Sequence, residues 1–285
     1  MMNNLKKALP MSGISKADII YECLAEGGIT RMLALFQDIS GVGNIGTVRS
    51  TRTYYLELAL GHDALLIHAG ASYMAYDEIA VWKVDNLDYV RNNKVSGMFW
   101  RDQARVKSAG SEHSVYTSGE KITELLSKYE VRTDSAENYR LGWNFADDAV
   151  PGGGGDAPVV SAPFTTSKTT KFIYDAEEKL YYVEQYGGKF MDEAQKKQVA
   201  VTNVITLYTD VAPIPGDKDG RITVRLNGEG PGFFACGGKY VPIKWSKKSR
   251  NDPFVFTLED DRPLVLGKGK SYICLIPVER TVTFE

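Results

Sequence analysis

The stretch "STRTYYLELALGHDALLIHAGASYMAYDEIAVW", residues 50–82, decides the class of fold. Its opening "STRTYYLELALGHD" predicts a helix, and "ALLIHAG" predicts a short strand that is apolar almost throughout, as strands buried on both faces are. "SYMAYDEIAVW" predicts another helix, with Ser72 as its N-cap. A helix, a buried strand and a second helix in direct succession indicate a mixed α/β region.

Helix and strand signals alternate on both sides of this stretch. Before it, "KADIIYECLAEGG" (residues 16–28) has apolar residues at helical spacing after Ser15, a candidate N-cap, so it predicts a helix. "ITRMLALFQ" predicts the strand that follows. After the stretch, "SGEKITELLSKYE" has Ser118 as a cap, a charged first turn and an apolar stripe, so it predicts a helix that ends the mixed region near residue 130.

The second half of the chain has a different pattern. "DDAVPGGGGDAP" (residues 147–158) is rich in glycine, so it predicts a flexible loop near a boundary between two lobes. Almost everything after it predicts strands, beginning with "TTKFIYD" and "KLYYVEQY", which form a hairpin around the turn "AEE". Further strands are predicted in "VAVTNVITLYTDV", "RITVRLNG", "KYVPIKW", "FVFTLE" and "SYICLIPV".

Together these patterns predict an α+β fold. A mixed α/β segment over residues 1–145 carries the candidate site, and a largely antiparallel β segment over residues 146–285 packs tightly on it. We expect layered sheets with helices on one side, in one joined unit rather than in two independent domains.

The composition limits the classes of partner. Of the 285 residues, 34 are Lys or Arg and 36 are Asp or Glu, which gives a net charge of -2. The chain therefore has no overall basic field, and we expect no nucleic-acid partner. No stretch approaches the roughly 18 apolar residues of a membrane span, and the opening "MMNNLKKALPMSG" lacks the apolar core of a signal peptide. The residues leave open both a cytosolic protein and a fragment from which a leader has been removed.

The three cysteines, Cys23, Cys236 and Cys274, have the spacing neither of a zinc site nor of a disulfide framework. The sequence also has no HExxH motif and no close histidine pair, so we expect no metal and no cofactor. Cys23 and Cys274 lie among apolar neighbours, whereas the residues around Cys236 are typical of a loop. We therefore expect free thiols, of which Cys236 is the most reactive.

The first candidate site is "GVGNIGTVRSTRTYY", residues 41–55. Its glycines leave backbone N–H groups free, Arg49 and Arg52 can form charge-assisted hydrogen bonds, and a helix begins nearby, all of which favour an anion. The glycine spacing matches neither a P-loop nor a dinucleotide-binding turn. The two arginines share one face if the helix has begun by Arg49, and an extended backbone turns them to opposite sides. The structural alternative is a tight turn whose arginines pair with nearby carboxylates: Asp18, Glu22 or Glu26.

The histidines form the second candidate site. His68 ends the apolar strand just before a turn at Gly70, and ligands of open α/β sheets bind at such carboxyl ends of strands. His113 opens "HSVYTS" just before a helix, and Asp63 lies at the other end of the element that carries His68. His68, His113 and Asp63 are therefore the candidate catalytic residues, although a buried structural histidine is the alternative in each case. We expect His62 at the surface.

Several segments in order resemble the YerB-type family of bacterial lipoproteins. They are "SGISKADIIYECLAEGGITR", "IGTVRSTRTYYLELALGHDALLIHAG", "MFWRD" and "HSVYTS", followed by "FIYD", "TNVITL" and "VPIKW". The resemblance spans nearly the whole chain in two consecutive family segments. It implies an uncharacterised function, a mixed α and β fold, and a location outside the cytoplasmic membrane through an N-terminal lipid. The leader and lipid-attachment cysteine of the family do not occur in this sequence, and the residue before His113 is not the usual proline.

Three functions stay open at this point. The first is a non-enzymatic envelope protein that binds an anionic or hydroxyl-rich ligand, a wall glycan or a polymer phosphate, in a cleft of the first half. That cleft would be lined by the side chains of Arg31, Arg49, Arg52, His68 and His113. The second is a hydrolase or transferase that uses His68 or His113 as general acid or base. The third is a scaffold for a membrane-protein partner. The oligomeric state is open.

Overall fold

The computed structural model describes residues 1–285, apart from the side chain of Ser96, and has an α+β fold. Its α-helices are α1 (Thr53–Gly61), α2 (Tyr73–Trp82), α3 (Gln103–Ser108) and α4 (Gly119–Lys128). Short 3-10 turns cover Lys6–Ala8, Ile14–Lys16, Glu26–Gly28, Asn93–Met98 and Ser111–His113.

Strands make up most of the regular structure. The first half contains β1 (Met2–Asn3), β2 (Ile19–Leu24), β3 (Thr30–Leu35), β4 (Asn44–Gly46), β5 (Leu66–His68), β6 (Asn86–Asp88), β7 (Trp100–Arg101), β8 (Val115–Ser118) and β9 (Asn144–Ala146). The next strands are β10 (Gly155–Asp156), β11 (Val159–Pro163), β12 (Thr169–Asp175), β13 (Leu180–Gln185), β14 (Gly188–Lys189), β15 (Met191–Asp192), β16 (Lys197–Gln198), β17 (Ala200–Val201) and β18 (Asn203–Thr209). The last are β19 (Val211–Pro213), β20 (Ile222–Val224), β21 (Gly228–Cys236), β22 (Lys239–Lys247), β23 (Val255–Leu258), β24 (Val265–Gly267), β25 (Ser271–Pro277) and β26 (Thr283–Phe284).

A nine-stranded mixed sheet contains strands from both halves of the chain. Its order is β1-β3-β2-β25-β18-β21-β22-β10, with β23 also paired to β22. The junction is the parallel pair β2 and β25, in which Ile20 lies opposite Tyr272. The two halves therefore share one hydrogen-bonded sheet.

Both faces of this sheet are buried. Because successive residues of a strand point to opposite faces, Ile20 contributes to one hydrophobic core and Tyr21 to the other. The first core also contains Phe172 of the six-stranded sheet β14-β13-β12-β11-β26, in which β17 pairs with β13. The second core contains Tyr55 of α1. Burial on both faces explains why the sequence of β25 is an almost unbroken apolar run.

Most of the predicted elements are confirmed. The predicted helices after Arg52, Ser72 and Ser118 are α1, α2 and α4, and the Oγ atoms of both serines accept a hydrogen bond from a backbone N–H three residues further on. β12 and β13 form the predicted hairpin, in which Asp175 pairs with Leu180. The carboxylate of Asp175 accepts hydrogen bonds from the N–H groups of the turn, which fixes its conformation.

The helix predicted over residues 16–28 is wrong, because Ile19–Leu24 forms β2. This stretch is a nearly continuous apolar run, and at this length such a run fits a strand buried on both faces as well as a helix. Hydrogen bonds to β3 and β25 select the strand. The predicted N-cap Ser15 lies in a 3-10 turn instead, where its N–H donates to Asp192 at 2.8 Å.

The glycine-rich loop is packed at its end rather than flexible throughout. Gly155 belongs to β10, which pairs with β22 opposite Tyr240. A Cβ atom on Gly155 would lie 2.5 Å from the ring of Tyr240. Glycine is therefore needed there for the close approach of backbone to ring.

A buried ion pair links the two halves between the sheets. Glu22 of β2 is fully buried, and its Oε1 lies 2.8 Å from Nζ of Lys168, which is also buried. Lys168 Nζ further donates to Thr170 at 2.6 Å and to Gln185 at 2.8 Å. The carboxylate of Glu22 also accepts hydrogen bonds from four other side chains: Asn4, Thr30, Thr170 and Tyr272. Each charge is thus compensated by a partner and by neutral donors or acceptors.

All three cysteines are free and buried. Cys236 is 5% exposed because it ends β21 inside the sheet, so the expectation of an exposed thiol at this position is wrong. Burial raises its pKa to about 11. The residues around it are typical of a loop only on the carboxyl side, where Gly237 begins a turn.

Candidate functional site

The candidate site is a cleft of about 600 Å³ at one end of a small βαβ unit. Strands β5 and β6 are parallel and α2 connects them, so their carboxyl ends lie at the same edge. The residues that follow these ends, Gly70 after β5 and Tyr89 to Arg91 after β6, line the cleft. We call it the arginine cleft, because Arg49, Arg91 and Arg101 line it. Ligands of α/β sheets bind at this end of the strands.

Asp88, the last residue of β6, organises the floor of the cleft. It is buried, and its Oδ1 accepts hydrogen bonds from the N–H of Gly70 at 2.8 Å and of Val90 at 3.0 Å. Its Oδ2 accepts from the hydroxyl of Tyr76 at 2.9 Å and from the N–H of Arg91. A single carboxylate thus holds both strand ends in place.

His68 is fully buried beneath this floor. Its Nδ1 lies 2.8 Å from the carbonyl oxygen of Gly70, and its Nε2 lies 3.2 Å from Oδ1 of Asn86. Burial lowers the pKa of His68, and these acceptors together with Asp88 oppose the shift. Both ring nitrogens face acceptors within the βαβ unit, of which the neutral ring donates to one, and His68 supports the cleft without lining it.

Arg49 is the basic group of the cleft whose guanidinium is not committed elsewhere. It is half-buried, and across the described chain its guanidinium makes no hydrogen bond or ion pair. Burial lowers its pKa, Arg52 adds to this effect and Glu112 opposes it. By contrast, Arg91 lies 3.3 Å above the ring of Tyr76, and Arg101 donates to the carbonyl oxygen of Ser111.

Arg31 and Arg52 lie nearby but share one carboxylate, Glu26. Arg31 donates to Oε1 of Glu26 at 2.7 Å, and Arg52 donates to both of its oxygens. Burial opposes ionisation of Glu26, but the hydrogen bond from Arg52 and the charge of Arg31 lower its pKa to about 2. Burial and the charge of Arg52 lower the pKa of Arg31 to about 10. Two guanidinium groups on one carboxylate leave this cluster with one net positive charge beside Arg49.

The backbone explains why Arg49 and Arg52 differ. Helix α1 begins at Thr53, and Arg52 precedes it with an extended conformation, φ -135° and ψ 164°. An extended backbone turns residues three apart to opposite sides. Arg52 accordingly binds Glu26 and Arg49 lines the cleft. Arg52 pairs with Glu26, which is one of the carboxylates named in the structural alternative. The shared face of Arg49 and Arg52 required a helix that had begun by Arg49, and α1 begins only at Thr53.

His113 lies beside the cleft wall with one nitrogen free. The Oδ1 atom of Asn3 accepts from the N–H of Leu5, so its Nδ2 group donates to Nδ1 of His113 at 2.8 Å. In the neutral ring the proton therefore sits on Nε2, which is buried, makes no hydrogen bond and lies 3.3 Å from Oε1 of Glu112. Burial and the charge of Arg49 lower the pKa of His113, and Glu112 opposes the shift. Glu112 itself lines the arginine cleft.

Asp63 and His62 lie away from the arginine cleft. Asp63 accepts hydrogen bonds from Arg132 at 2.8 and 2.9 Å. The expectation that His62 lies at the surface is met only in part: the side chain is partly exposed, but its ring packs against Tyr21 and Trp143 and its Nε2 lies 2.8 Å from the Tyr21 hydroxyl. Both residues line a different, larger cavity.

Sequence reasoning missed the residues that shape the arginine cleft after β6 and before α3. Tyr76, Asp88, Arg91, Arg101 and Glu112 are not singled out by the sequence patterns. Asp102, next to Arg101, caps α3, where it accepts from the N–H of Arg105. The available signal is that "YVR", residues 89–91, directly follows β6, but the parallel pairing of β6 with β5 cannot be inferred locally.

Among the described residues, no three His, Cys, Asp or Glu side chains come together as metal ligands. No described helix is both long and apolar enough to cross a membrane.

The chain belongs to the DUF3048 family, whose members are proteins of unknown function. Residues 1–132 match the N-terminal domain of the family and residues 160–273 match its C-terminal domain. The arginine cleft lies within the N-terminal domain, and the Glu22–Lys168 ion pair joins the two domains.

The chain is also similar to individual members. It is 29% identical over 281 residues to a Bacillus subtilis (strain 168) protein described as "Putative lipoprotein YerB". The aligned region covers 97% of this chain and 80% of that protein. The crystal structure of YerB protein from Bacillus subtilis matches with a TM-score of 0.83 and 26% identity, over 99% of this chain and 91% of the other. These matches confirm the resemblance that the sequence motifs indicated.

Proposed function

We propose that this protein is a lipid-anchored protein of the cell envelope that binds phosphate groups of an anionic envelope polymer in the arginine cleft. The description of the similar Bacillus protein as a lipoprotein supports the location. The excess of guanidinium groups over carboxylates in the cleft supports the class of ligand. Arg91 covers the ring of Tyr76, which favours an anion over a sugar ring that would need the same face.

The observation that carries the proposal is the uncommitted guanidinium of Arg49. A half-buried charge without a partner loses hydration and gains no hydrogen bond in return. A phosphate oxygen pair can accept two parallel hydrogen bonds from one guanidinium, which restores the lost interactions. The neighbouring Arg31–Glu26–Arg52 cluster, with its net positive charge, adds attraction at longer range.

Calorimetric titration with purified poly(glycerol phosphate), with neutral dextran as a control, tests this proposal. Arg49→Ala is expected to weaken binding by about 10- to 150-fold, as the loss of charge-assisted hydrogen bonds does. Arg49→Lys is expected to bind with intermediate affinity, because lysine keeps the charge and loses the fork. Arg262→Ala is the matched control, since Arg262 is exposed and pairs only with Asp260. Equal binding by Arg49→Ala and Arg262→Ala would refute the proposal.

The location is tested separately. Full-length protein expressed in its native host is expected to incorporate labelled palmitate and to be digested by protease added to intact protoplasts. Recovery of the unlabelled protein only in the cytosolic fraction would contradict the lipid anchor.

A second candidate function rests on His113. Asn3 fixes the neutral tautomer with the proton on Nε2, close to Glu112 at the cleft wall, so the neutral ring is oriented to donate a hydrogen bond to a phosphoryl oxygen, and the ring acts as general acid only once it has gained a second proton. This candidate predicts slow hydrolysis of bis(p-nitrophenyl) phosphate that His113→Gln abolishes and Arg262→Ala leaves unchanged. Equal hydrolysis by the wild type and His113→Gln would exclude it.

A further inference from the structure

A second cavity, larger than the arginine cleft, lies elsewhere and has a different chemistry. It encloses about 800 Å³ between β3, the end of α1 and α4, and residues 130–135 cover part of it. Val48 is shared with the lining of the arginine cleft. A volume of this size lies within the range of pockets that bind small organic ligands.

Part of the lining of this cavity is a group of neighbouring apolar side chains. Leu35, Phe36 and Ile39 line it from the segment that ends β3, and Leu126 lines it from α4. Each of these side chains is only partly buried, although all except Leu35 pack against the main hydrophobic core. A ligand with a hydrocarbon part would remove this apolar surface from water.

The rim of the cavity is acidic. Asp18, Asp38, Glu130 and Asp134 line it, and none of them forms an ion pair with a described basic side chain. The arginine at the rim, Arg132, is committed to two other carboxylates: Asp63 and Asp85. The rim therefore carries several negative charges that are not matched within the protein.

The imidazole of His62 in the wall of this cavity adds no positive charge. His62 is partly exposed at the wall, where Tyr21 and Trp143 pack against its ring. Burial and the nearby Lys247 lower its pKa to about 4, so the imidazole is neutral at pH 7. A neutral imidazole can hydrogen-bond a ligand without opposing a cation.

We propose that this cavity binds a cationic amphiphile, whose hydrocarbon chain lies against Phe36, Ile39 and Leu126 and whose ammonium group lies at the acidic rim. The apolar lining selects the chain, and the unmatched carboxylates select the sign of the head group by charge complementarity. The arginine cleft selects the opposite charge, so the two sites take different ligands.

Calorimetric titration of the full chain with dodecyltrimethylammonium, below its micelle concentration, tests the proposal. Dodecyl sulfate and dodecyl maltoside carry the same chain with a negative and a neutral head. We expect saturable one-to-one binding of the cation, weaker binding of the maltoside and no binding of the sulfate. Equal binding of all three detergents, or no saturable binding of the cation, would overturn the proposal.

Two variants localise the binding. Leu126→Trp fills the cavity and is expected to weaken binding of the cation by about tenfold or more, while Val81→Trp, at an exposed position of α2 outside the cavity, leaves it unchanged. Thermal melting establishes that both variants fold. Unchanged affinity in a folded Leu126→Trp protein would show that the detergent binds elsewhere.

The charge of the rim is tested on its own. Glu130→Gln with Asp134→Asn is expected to weaken binding of the cation by about fivefold and to leave binding of the maltoside unchanged. The control, Glu124→Gln with Asp77→Asn, removes the same charge away from the cavity and is expected to change neither. Equal losses in the two double variants, or tight binding of an apolar basic peptide in place of the detergent, would refute a site for a small cationic amphiphile.

Arg49→Ala is expected to bind the cation normally, so failure of the phosphate proposal leaves this test intact.

Discussion

Replacement of Lys168 by methionine tests whether the buried ion pair between the two family domains stabilises the fold. Lys168→Met removes the ammonium group and keeps most of the apolar volume of the side chain. Glu22, which is 0% exposed, is then left without its cationic partner. Breaking a buried pair in this way costs about 3–5 kcal/mol.

The structure favours a value within that range. Glu22 retains neutral donors, among them the hydroxyls of Thr30 at 2.6 Å and Tyr272 at 2.7 Å, and these continue to stabilise the carboxylate. The loss also leaves the oxygen of Gln185 without its donor. With about 2 °C of Tm per kcal/mol for a protein of this size, the expected fall is about 6–10 °C.

Thermal and urea unfolding followed by circular dichroism at pH 7 measure the effect. Lys171→Met is the matched control, because Lys171 lies on β12, the strand that begins directly after Lys168, with its side chain exposed. Glu22→Gln combined with Lys168→Met removes both charges and is expected to be more stable than Lys168→Met alone. A Tm of Lys168→Met equal to that of Lys171→Met, or a double variant that is no more stable than Lys168→Met, would refute the reasoning.

Two further predictions concern acid stability and thiol chemistry. Because the folded-state pKa of Glu26 is lowered to about 2, its contribution to stability is present above its usual pKa of 4.5 and is lost as the pH falls from there towards 2. The fall of Tm with decreasing pH is therefore expected to be less steep in Glu26→Gln than in the wild type over that window. An unchanged slope would contradict the lowered pKa of Glu26. Labelling with a maleimide reagent at pH 7 is expected to leave all three cysteines unmodified in the native protein and to modify all three in urea, because Cys236 is buried with its pKa raised to about 11. Rapid native labelling of Cys236, read by peptide mass analysis, would contradict this.

The sequence determined the elements whose signals are local. The helices α1, α2 and α4 follow from apolar spacing and, at α2 and α4, from serine caps, and the hairpin of β12 and β13 follows from alternation around a polar turn. Its motifs also identified the family, since the segments that carry the resemblance lie within both matched domains. These features depend on neighbours within a few residues, so the order of residues contains them.

Only the tertiary structure decided the features that depend on distant partners. The apolar run at Ile19–Leu24 is a strand inside the sheet because it pairs with β3 on one side and with β25, from the other end of the chain, on the other, and no local spacing shows the partner β25. Arg52 is paired and Arg49 is left uncommitted because Glu26 lies on one side of an extended backbone. The arginine cleft and the acidic cavity likewise combine residues from separate elements, whose side chains meet only when the sheets pack. Charge complementarity to a ligand arises from that packing, because electrostatic interactions depend on distance in space and not on position in the sequence.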